Sequence, residues 1–265
     1  MGAALVFGIV KRASRDSGPD ISGWARWLST ATGLAIDARV ADSYEALADE
    51  TKAGSIDIAW LPPIVLIRLG DAVEIIGSIA RDGRTSYEAA LIVRADAKVR
   101  TIDGLRGTRA GWVDRWSAAG FVLPRVKLAI LGVDPRSAFR TETFFGSHDA
   151  AIRALVDGLC DVTGTHARTD DEGNIVAGGW SDVEGADVRV IETFGAIPPD
   201  AIAVKASVEP EARSKIVSAL QDADDEGRAL TRSIFGGDEL HPGAAPGYDA
   251  LKKALEMAQV RGLFD

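Results

Sequence analysis

The chain has 265 residues, of which 46% are apolar and 26% charged, and this composition is that of a globular protein rather than a disordered or fibrous one. Its formal net charge of −9 argues against nucleic acid or an anionic membrane as the main partner. A single cysteine, Cys160, excludes an internal disulfide and a cysteine-rich metal site. We therefore expect neither a cofactor nor a metal ion, and no apolar run is long enough to insert into a membrane.

Strand and helix patterns alternate along the first part of the chain. Continuous apolar runs predict strands, and apolar residues at helical spacing that end at a glycine predict helices. The predicted strands are residues 5–10, 35–40, 56–60, 73–79 and 87–93. The predicted helices run from Gly18-Pro19 to Gly33, from Asp42 or Ser43 to Lys52, and over residues 64–69.

The same alternation begins again near Arg94. The predicted strands are residues 108–113, 140–145, 161–165, 188–192 and 202–204. Helices are predicted at 117–131, 147–157, 210–235 and 247–261, and a polar, glycine-rich loop at 168–186. This repetition predicts an α/β protein with largely parallel sheets and two lobes, and ligands commonly bind between such lobes.

Two strand-to-helix turns carry candidate binding residues. In the first, Ser117-Ala118-Ala119-Gly120 opens a helix, and helix N-termini bind anions through their unpaired N–H groups. The alternative is that Ser117 only caps the helix. In the second, His148 lies in the first turn of a helix after Gly146-Ser147, where it could face the same ligand. The alternative is a structural histidine.

Aromatic residues near other strand and helix ends are further candidates. Trp60 could line a pocket or fill the core, and core packing is favoured when the residue is taken by itself. Tyr44 and Tyr87 begin a predicted helix and a predicted strand. Their hydroxyls suit an oxyanion, although tyrosine is also a common half-buried packing residue.

Short motifs in a fixed order carry a family resemblance over nearly the whole chain. They are Leu5-Val-Phe-Gly-Ile-Val, Ala41-Asp-Ser-Tyr44-Glu-Ala-Leu, Gly54-Ser-Ile-Asp-Ile-Ala-Trp60-Leu-Pro, Asp103-Gly-Leu-Arg-Gly107, Gly146-Ser-His148-Asp-Ala-Ala with Leu155-Val-Asp-Gly158, and Ile197-Pro-Pro-Asp200. With these motifs the chain resembles the substrate-binding proteins of phosphonate, phosphite and phosphate ABC importers, within the type II periplasmic binding protein superfamily.

The resemblance implies a fold of two lobes, each a mixed, mostly parallel sheet flanked by helices, joined by a two-strand hinge. We expect residues 1–94 and 200–265 to form lobe 1 and residues 95–199 to form lobe 2. The hinge is then expected at residues 93–97 and 195–202.

The resemblance also implies a small anionic, phosphonate- or phosphate-like ligand, an ABC transporter permease as partner and no catalysis. The positions expected to contact the ligand are Tyr44, Trp60, Tyr87, Trp116, Ser117, Ala118, Ala119, His148 and Asp200. Asp200 would accept a hydrogen bond from a protonated oxygen or an amino group. The alternative for Asp200 is a turn residue after two prolines.

The chain departs from the family pattern at one place. Where the family typically has Ser-Thr-Ser-Gly-Tyr, this sequence has Ser117-Ala-Ala-Gly-Phe121, so two hydroxyl donors are missing at positions 118 and 119. Trp112 and Trp116 flank this segment and would make the site bulkier or more apolar. We therefore expect an altered ligand preference and weak binding of simple phosphate or phosphonate.

Two other functions stay open at this point: a cytoplasmic ligand-binding sensor of the same fold, and an enzyme of cofactor biosynthesis. The sequence shows no nucleophile and base at a telling spacing, which disfavours the enzyme. We expect a monomer, located in the periplasm or outside the cell if an export signal has been removed and in the cytoplasm otherwise.

Overall fold

The computed structural model describes residues 4–10, 21–80 and 83–264. The strands, numbered in chain order, are β1 Leu5–Val10, β2 Ile36–Ala41, β3 Ile58–Leu61, β4 Val73–Ala80, β5 Tyr87–Arg94, β6 Arg109–Trp112, β7 Thr141–Phe144, β8 Val162–Thr169, β9 Ile175–Gly178, β10 Val188–Ile197, β11 Ala201–Lys205 and β12 Glu239–Pro242. The α-helices are α1 Ile21–Thr32, α2 Tyr44–Ala53, α3 Pro63–Leu69, α4 Leu123–Ile130, α5 His148–Val156, α6 Pro210–Gln221, α7 Asp225–Phe235 and α8 Tyr248–Val260. None of the helices in the described ranges is both long and apolar enough to cross a membrane.

The chain divides into two compact units. The first consists of Met1–Thr85 and Pro198–Tyr248, and the second of Ser86–Ile197 and Asp249–Asp265. These bounds differ from the lobes expected from the sequence, 1–94 plus 200–265 and 95–199, in two ways. Strand β5 belongs to the second unit because it pairs there on both sides, with β8 and with β10. The chain also passes from one unit to the other a third time, after Tyr248, so that nearly all of α8 belongs to the second unit.

The first unit is built on a sheet with the strand order β12-β4-β11-β3-β1-β2. Strand β1 is parallel to β2 and β3, whereas the pairs of β11 with β3 and β4 and of β12 with β4 are antiparallel. The core against this sheet is rich in aromatic rings. Phe235 of α7 packs at right angles to Trp24 of α1 and to Trp60 of β3, with ring centroids 5.3 and 5.0 Å away.

The second unit has the strand order β10-β5-β8-β6-β7, with β9 beside β8. Strand β6 is parallel to β7 and β8, and β5 is antiparallel to β8. The carboxyl ends of β6, β7 and β8 and the start of β5 therefore lie at one edge, which we call the loop edge of this sheet. Both sheets are mixed, as expected. They are not mostly parallel, since each described sheet has two parallel and three antiparallel pairs.

Several elements differ from their sequence prediction. The predicted loop 168–186 contains the end of β8, strand β9 and a short 3₁₀ turn at Gly179–Asp182. The single helix predicted at 210–235 is two helices. Helix α6 ends at Gln221, and α7 begins after Asp224, whose side chain accepts a hydrogen bond from Gly227 N–H. Strand β12 was not predicted, and the helix start predicted at Gly18-Pro19 lies outside the described residues.

Candidate functional site

The turn after β6 forms the first half of the candidate site. Trp116 N–H donates to Asp114 Oδ1 at 2.7 Å, and Ser117 N–H donates to the Asp114 carbonyl at 3.0 Å. A five-residue π-helix, Ala118–Val122, then precedes α4 where a continuous α-helix was predicted. π-helical turns are rare and occur frequently at functional sites. We call residues 117–121 the anion loop.

Ser117 caps this π-helix from a nearly buried position. Its Oγ accepts a hydrogen bond from Gly120 N–H at 3.0 Å, which is a typical N-cap contact. The N–H groups at the start of a helix precede its first internal hydrogen bond and concentrate positive potential. At Ala118 and Ala119 the side chain beside these N–H groups is only a methyl group.

Glycines allow the anion loop to lie directly on the sheet. A Cβ atom on Gly164 of β8 would stand 3.0 Å from the Ala119 carbonyl oxygen, and one on Gly120 would stand 2.3 Å from Val113 Cγ2. Neither position tolerates a side chain without a shift of the loop. Strand β8 therefore determines how closely the anion loop packs on the sheet.

The turn after β7 is held beside the first one and presents His148. Phe145 N–H donates to the Trp112 carbonyl at 2.9 Å and Gly146 N–H to the Val113 carbonyl at 2.8 Å. Ser147 then caps α5, accepting a hydrogen bond from Ala150 N–H at 3.2 Å. Two serine-capped helix starts thus follow adjacent parallel strands, an arrangement that favours anion binding.

Buried Thr165 of β8 fixes the imidazole of His148. Thr165 Oγ1 and His148 Nδ1 share a hydrogen bond of 2.9 Å, and the His148 ring packs edge-on against His166 with centroids 4.9 Å apart. Thr165 follows Gly164 directly, so β8 supports both the histidine and the anion loop. The sequence contains one indication that Thr165 lies near the site, because Thr165 is the last residue of the predicted strand 161–165.

The second unit also contains Tyr87 and Trp116, both half-buried. Tyr87 begins β5 and so lies at the loop edge, opposite Ile197 of β10. Trp112 does not line the site, contrary to the expectation from sequence. It is fully buried, its Nε1 donates to Glu142 Oε2 at 2.6 Å, and its ring packs on Phe121.

In the first unit, Tyr44 and Asp200 lie at one edge of the sheet. Tyr44 is the first residue of α2 after β2, and Ser43 caps this helix. Asp200 precedes β11, whose first residue pairs with Leu61 at the carboxyl end of β3. Tyr248 Oη donates to the carbonyl of Pro199, and burial together with the charge of Asp200 raises the pKa of Tyr248.

Trp60 occupies the core of the first unit. It is 5% exposed and its ring packs on Phe235. This position matches the core interpretation of Trp60 that the sequence favoured when the residue was taken by itself.

Cys160, the one cysteine of the sequence, is buried in the second unit. Burial, with a smaller contribution from Asp161, raises the pKa of the Cys160 thiol to about 12, so this cysteine stays protonated at neutral pH. Among the residues the structure describes, no group of three His, Cys, Asp or Glu side chains is placed to hold a metal ion.

Residues 7–245 match the family model for the periplasmic phosphonate substrate-binding proteins of ABC transporters. The chain belongs to this family. The family resemblance seen in the sequence is thereby confirmed, and the family is one of transport proteins rather than of enzymes. A curated relative, the phosphate-import protein PhnD of Mycolicibacterium smegmatis, is 27% identical over 150 residues, which cover 51% of this chain and 46% of the relative. The match thus spans about half of that relative's length.

Solved structures of the same fold extend over almost the whole chain. PhnD1 of Prochlorococcus marinus, in complex with methylphosphonate, superposes with a TM-score of 0.78 at 14% identity, covering 97% of this chain and 98% of that one. A binding protein component of an ABC phosphonate transporter from Pseudomonas aeruginosa gives a TM-score of 0.75 at 20% identity, covering 98% and 85%. XAC2383 of Xanthomonas citri, bound to ATP, gives 0.76 at 14% identity, covering 98% and 99%. These likenesses confirm the fold of two mixed sheets flanked by helices.

Proposed function

We propose that this protein is the substrate-binding component of an ABC importer and binds a small anion that carries a phosphonate or phosphate group. The observation that carries the proposal is the loop edge of the second unit. There Ser117 and Ser147 cap two neighbouring helix starts, and Thr165 orients His148 beside them. This arrangement supplies several N–H donors and one imidazole to a single anion.

The residues that we infer to bind the ligand belong to both units. From the second unit these are Tyr87, Trp116, Ser117, Ala118, Ala119 and His148. From the first unit they are Tyr44 and Asp200, whereas Trp60 packs in the core and is left out. The anion would meet the anion loop and His148, while Asp200 would accept a hydrogen bond from a protonated oxygen or an amino group. Domain closure on the ligand is the expected motion.

The missing hydroxyls at Ala118 and Ala119 bear on the ligand. Hydrogen bonds to charged groups contribute roughly 1.5–3 kcal/mol each, so their loss weakens binding of a bare phosphonate. The alanines leave more space than serine or threonine would. Solved neighbours hold ligands as different as methylphosphonate and ATP. We therefore include both sizes of phosphoryl ligand in the test below.

The proposal extends to partners and location. We infer that the protein acts as a monomer outside the cytoplasmic membrane, binds one ligand per chain and delivers it to a permease. The family is periplasmic, which supports this location. The alternative is a cytoplasmic sensor of the same fold, and cell fractionation with an antibody against the protein separates the two.

Binding measurements test the ligand class. Native mass spectrometry of the purified protein would identify a co-purified anion, and calorimetry with inorganic phosphate, methylphosphonate, ATP and sulfate would rank the candidates. We expect one phosphoryl anion to bind one-to-one and His148→Asn to weaken it about tenfold or more. Arg153→Gln, an exposed cation at the other end of α5, is the matched control and should leave affinity unchanged. No binding of any of these anions, or equal affinity in His148→Asn, would contradict the proposal.

A further inference from the structure

The segment that follows α8 is fastened to the anion loop by two arginines, one on each side of the loop in sequence. Arg115 Nη1 donates to the Phe264 carbonyl at 2.8 Å, and Arg125 Nε donates to the Leu263 carbonyl. The ring of Phe264 lies against Phe121, with centroids 5.9 Å apart. Residues 263–264 therefore touch the anion loop and both of its flanks.

Arg125 is unusual because it is a charged side chain with only 1% exposure. Its Nη1 pairs with Glu142 Oε2, the same oxygen that accepts from Trp112 Nε1, and its guanidinium lies 5.2 Å from the Phe121 ring centroid. Its Nη2 is buried and has no hydrogen-bond partner among the residues that the structure describes. A buried ion pair is often no more stable than an apolar replacement, and an unpartnered N–H adds a further cost. Stability alone therefore does not account for Arg125.

The ring of Phe121 is the point at which these contacts meet the anion loop. It is surrounded by Trp112, Phe144, Phe264 and the Arg125 guanidinium. Arg115 in turn lies over the Phe144 ring, 4.9 Å from its centroid. A movement of residues 263–264 would thus release one wall around Phe121, and with it the π-helix that contains Ala118 and Ala119.

The family match does not supply this role, because it ends at residue 245 and the fastened segment lies beyond it. The anion loop itself explains why residues 263–264 would be needed to hold it. With alanine at 118 and 119, the donors left there are backbone N–H groups, whose direction depends wholly on the loop conformation. Binding sites of this kind gain affinity from rigidity, since less ordering is required when the ligand arrives.

We propose that Arg115, Arg125 and residues 263–264 form a clasp that holds the anion loop in its ligand-binding conformation. The arginines are positioning residues that act through the loop. The effect on ligand affinity rests on the proposed function, whereas the effect on loop rigidity does not. A through-space attraction between the two guanidinium charges and the anion is the competing explanation, and it differs in one respect: it needs the charge and not the contacts.

Hydrogen exchange and calorimetry on four variants test the clasp. Arg115→Met removes the contacts of one arginine, and a chain that ends at Arg261 removes the segment that both arginines contact. Arg125→Lys keeps the charge but cannot bind the Leu263 carbonyl and Glu142 at the same time. The control, Arg189→Met, removes an arginine that donates to the carbonyls of Ala95 and Ala97 at the opposite edge of the same sheet.

We expect the amides of residues 118–122, without ligand, to exchange about tenfold faster in the three clasp variants, as the loss of one charge-assisted hydrogen bond implies, and to be unchanged in Arg189→Met. The dissociation constant for methylphosphonate should rise by about the same factor. An unchanged exchange rate of these amides in Arg115→Met would overturn the proposal. Arg115 is exposed, so this variant gives the answer even if the shortened chain does not fold. Parent-like behaviour of Arg125→Lys would favour the through-space explanation and also overturn it. If exchange changes as expected but even the parent protein binds neither methylphosphonate nor phosphate, the clasp stands and the proposed function fails.

Discussion

The two units use the same kind of sheet for different purposes, and their aromatic residues show this most clearly. In the first unit, Phe7, Trp24 and Phe235 pack together between α1, α7 and the sheet. In the second unit, Phe121 of the anion loop packs on Phe144 of β7. Aromatic packing therefore supports the sheet and its helices in one unit and the proposed binding loop in the other. Two sheets with equal numbers of parallel and antiparallel pairs thus differ in what their aromatic residues hold in place.

The largest effect is expected from the scaffold. Trp24→Ala removes a fully buried ring whose Nε1 also donates to Thr231 Oγ1 at 3.0 Å. Such truncations cost about 3–5 kcal/mol of unfolding free energy. Denaturant unfolding measures the loss, with Met257→Ala, at a 60% exposed position, as a neutral control. A loss below about 1 kcal/mol, typical of surface substitutions, would show that this cluster is not the main support of the first unit.

Restoring the missing hydroxyls is expected to have the next largest effect. Ala118 and Ala119 are only 3% and 2% exposed, so the smallest hydroxyl residue is the suitable replacement. Ala118→Ser with Ala119→Ser should tighten methylphosphonate binding about tenfold or more, because each new donor meets a charged oxygen. Ala118→Val, which adds bulk without a donor, should give no gain. Equal affinity of the double variant and the parent, with the fold intact by circular dichroism, would place the anion elsewhere.

Moving the anion loop away from β8 should have a smaller effect on ligand binding than changing its hydrogen-bond donors. Gly164→Ala places a methyl group about 3.0 Å from the Ala119 carbonyl, so the loop must shift by a few tenths of an ångström. We expect affinity for methylphosphonate to fall severalfold, by about 1 kcal/mol, as for other close-packed sites that are overfilled. Gly104→Ala, at an exposed position in the short turn Ile102–Leu105, is the matched control, since its added Cβ would make only an ordinary contact of 3.5 Å with Val99 Cγ1. If both variants lose the same affinity for methylphosphonate, the packing of the anion loop on β8 does not control ligand binding.

The smallest effect concerns the stability of the second unit in acid. Arg109 donates to both oxygens of Asp161, at 3.1 and 2.7 Å, and these hydrogen bonds lower the pKa of the Asp161 carboxyl. Because about a third of both side chains is exposed, we expect Asp161→Asn to cost about 1 kcal/mol at pH 7. A lowered pKa stabilises the folded state above the ordinary value of about 3.9, and the contribution is lost as pH falls through the folded-state pKa.

Urea unfolding of parent and Asp161→Asn between pH 7 and pH 2 checks this. The difference between the two proteins should be constant down to about pH 4 and should shrink below it. A difference that grows as pH falls would mean that Asp161 is not the group responsible.

Local patterns in the sequence predicted most elements, since their signals are short-range. Ser43, one of the two residues expected to begin α2, caps that helix, and Ser147 begins α5 as expected. The pairing of strands depends on distant residues, and there the sequence was less informative. Strand β5 has the same apolar pattern whichever sheet it joins, so its place in the second unit could not be derived from residues 87–93 alone.

The candidate site was predictable only in part, for the same reason. Ser117 and His148 were found because each begins a helix after a strand. Thr165 and Arg125 were missed because their roles depend on contacts with His148 and Leu263, which lie 17 and 138 residues away in the chain. The burial of Trp112 was also beyond the sequence, because it depends on the partner of its indole, Glu142, on the neighbouring strand.

An NMR titration of the ¹⁵N-labelled protein with methylphosphonate, repeated with inorganic phosphate, shows directly whether the anion loop and His148 bind the ligand. We expect the resonances of the Ala118, Ala119 and Gly120 amides and of the His148 ring to shift most, and to saturate together at one ligand per chain. If these four residues keep their resonances while other parts of the protein respond, the ligand binds elsewhere.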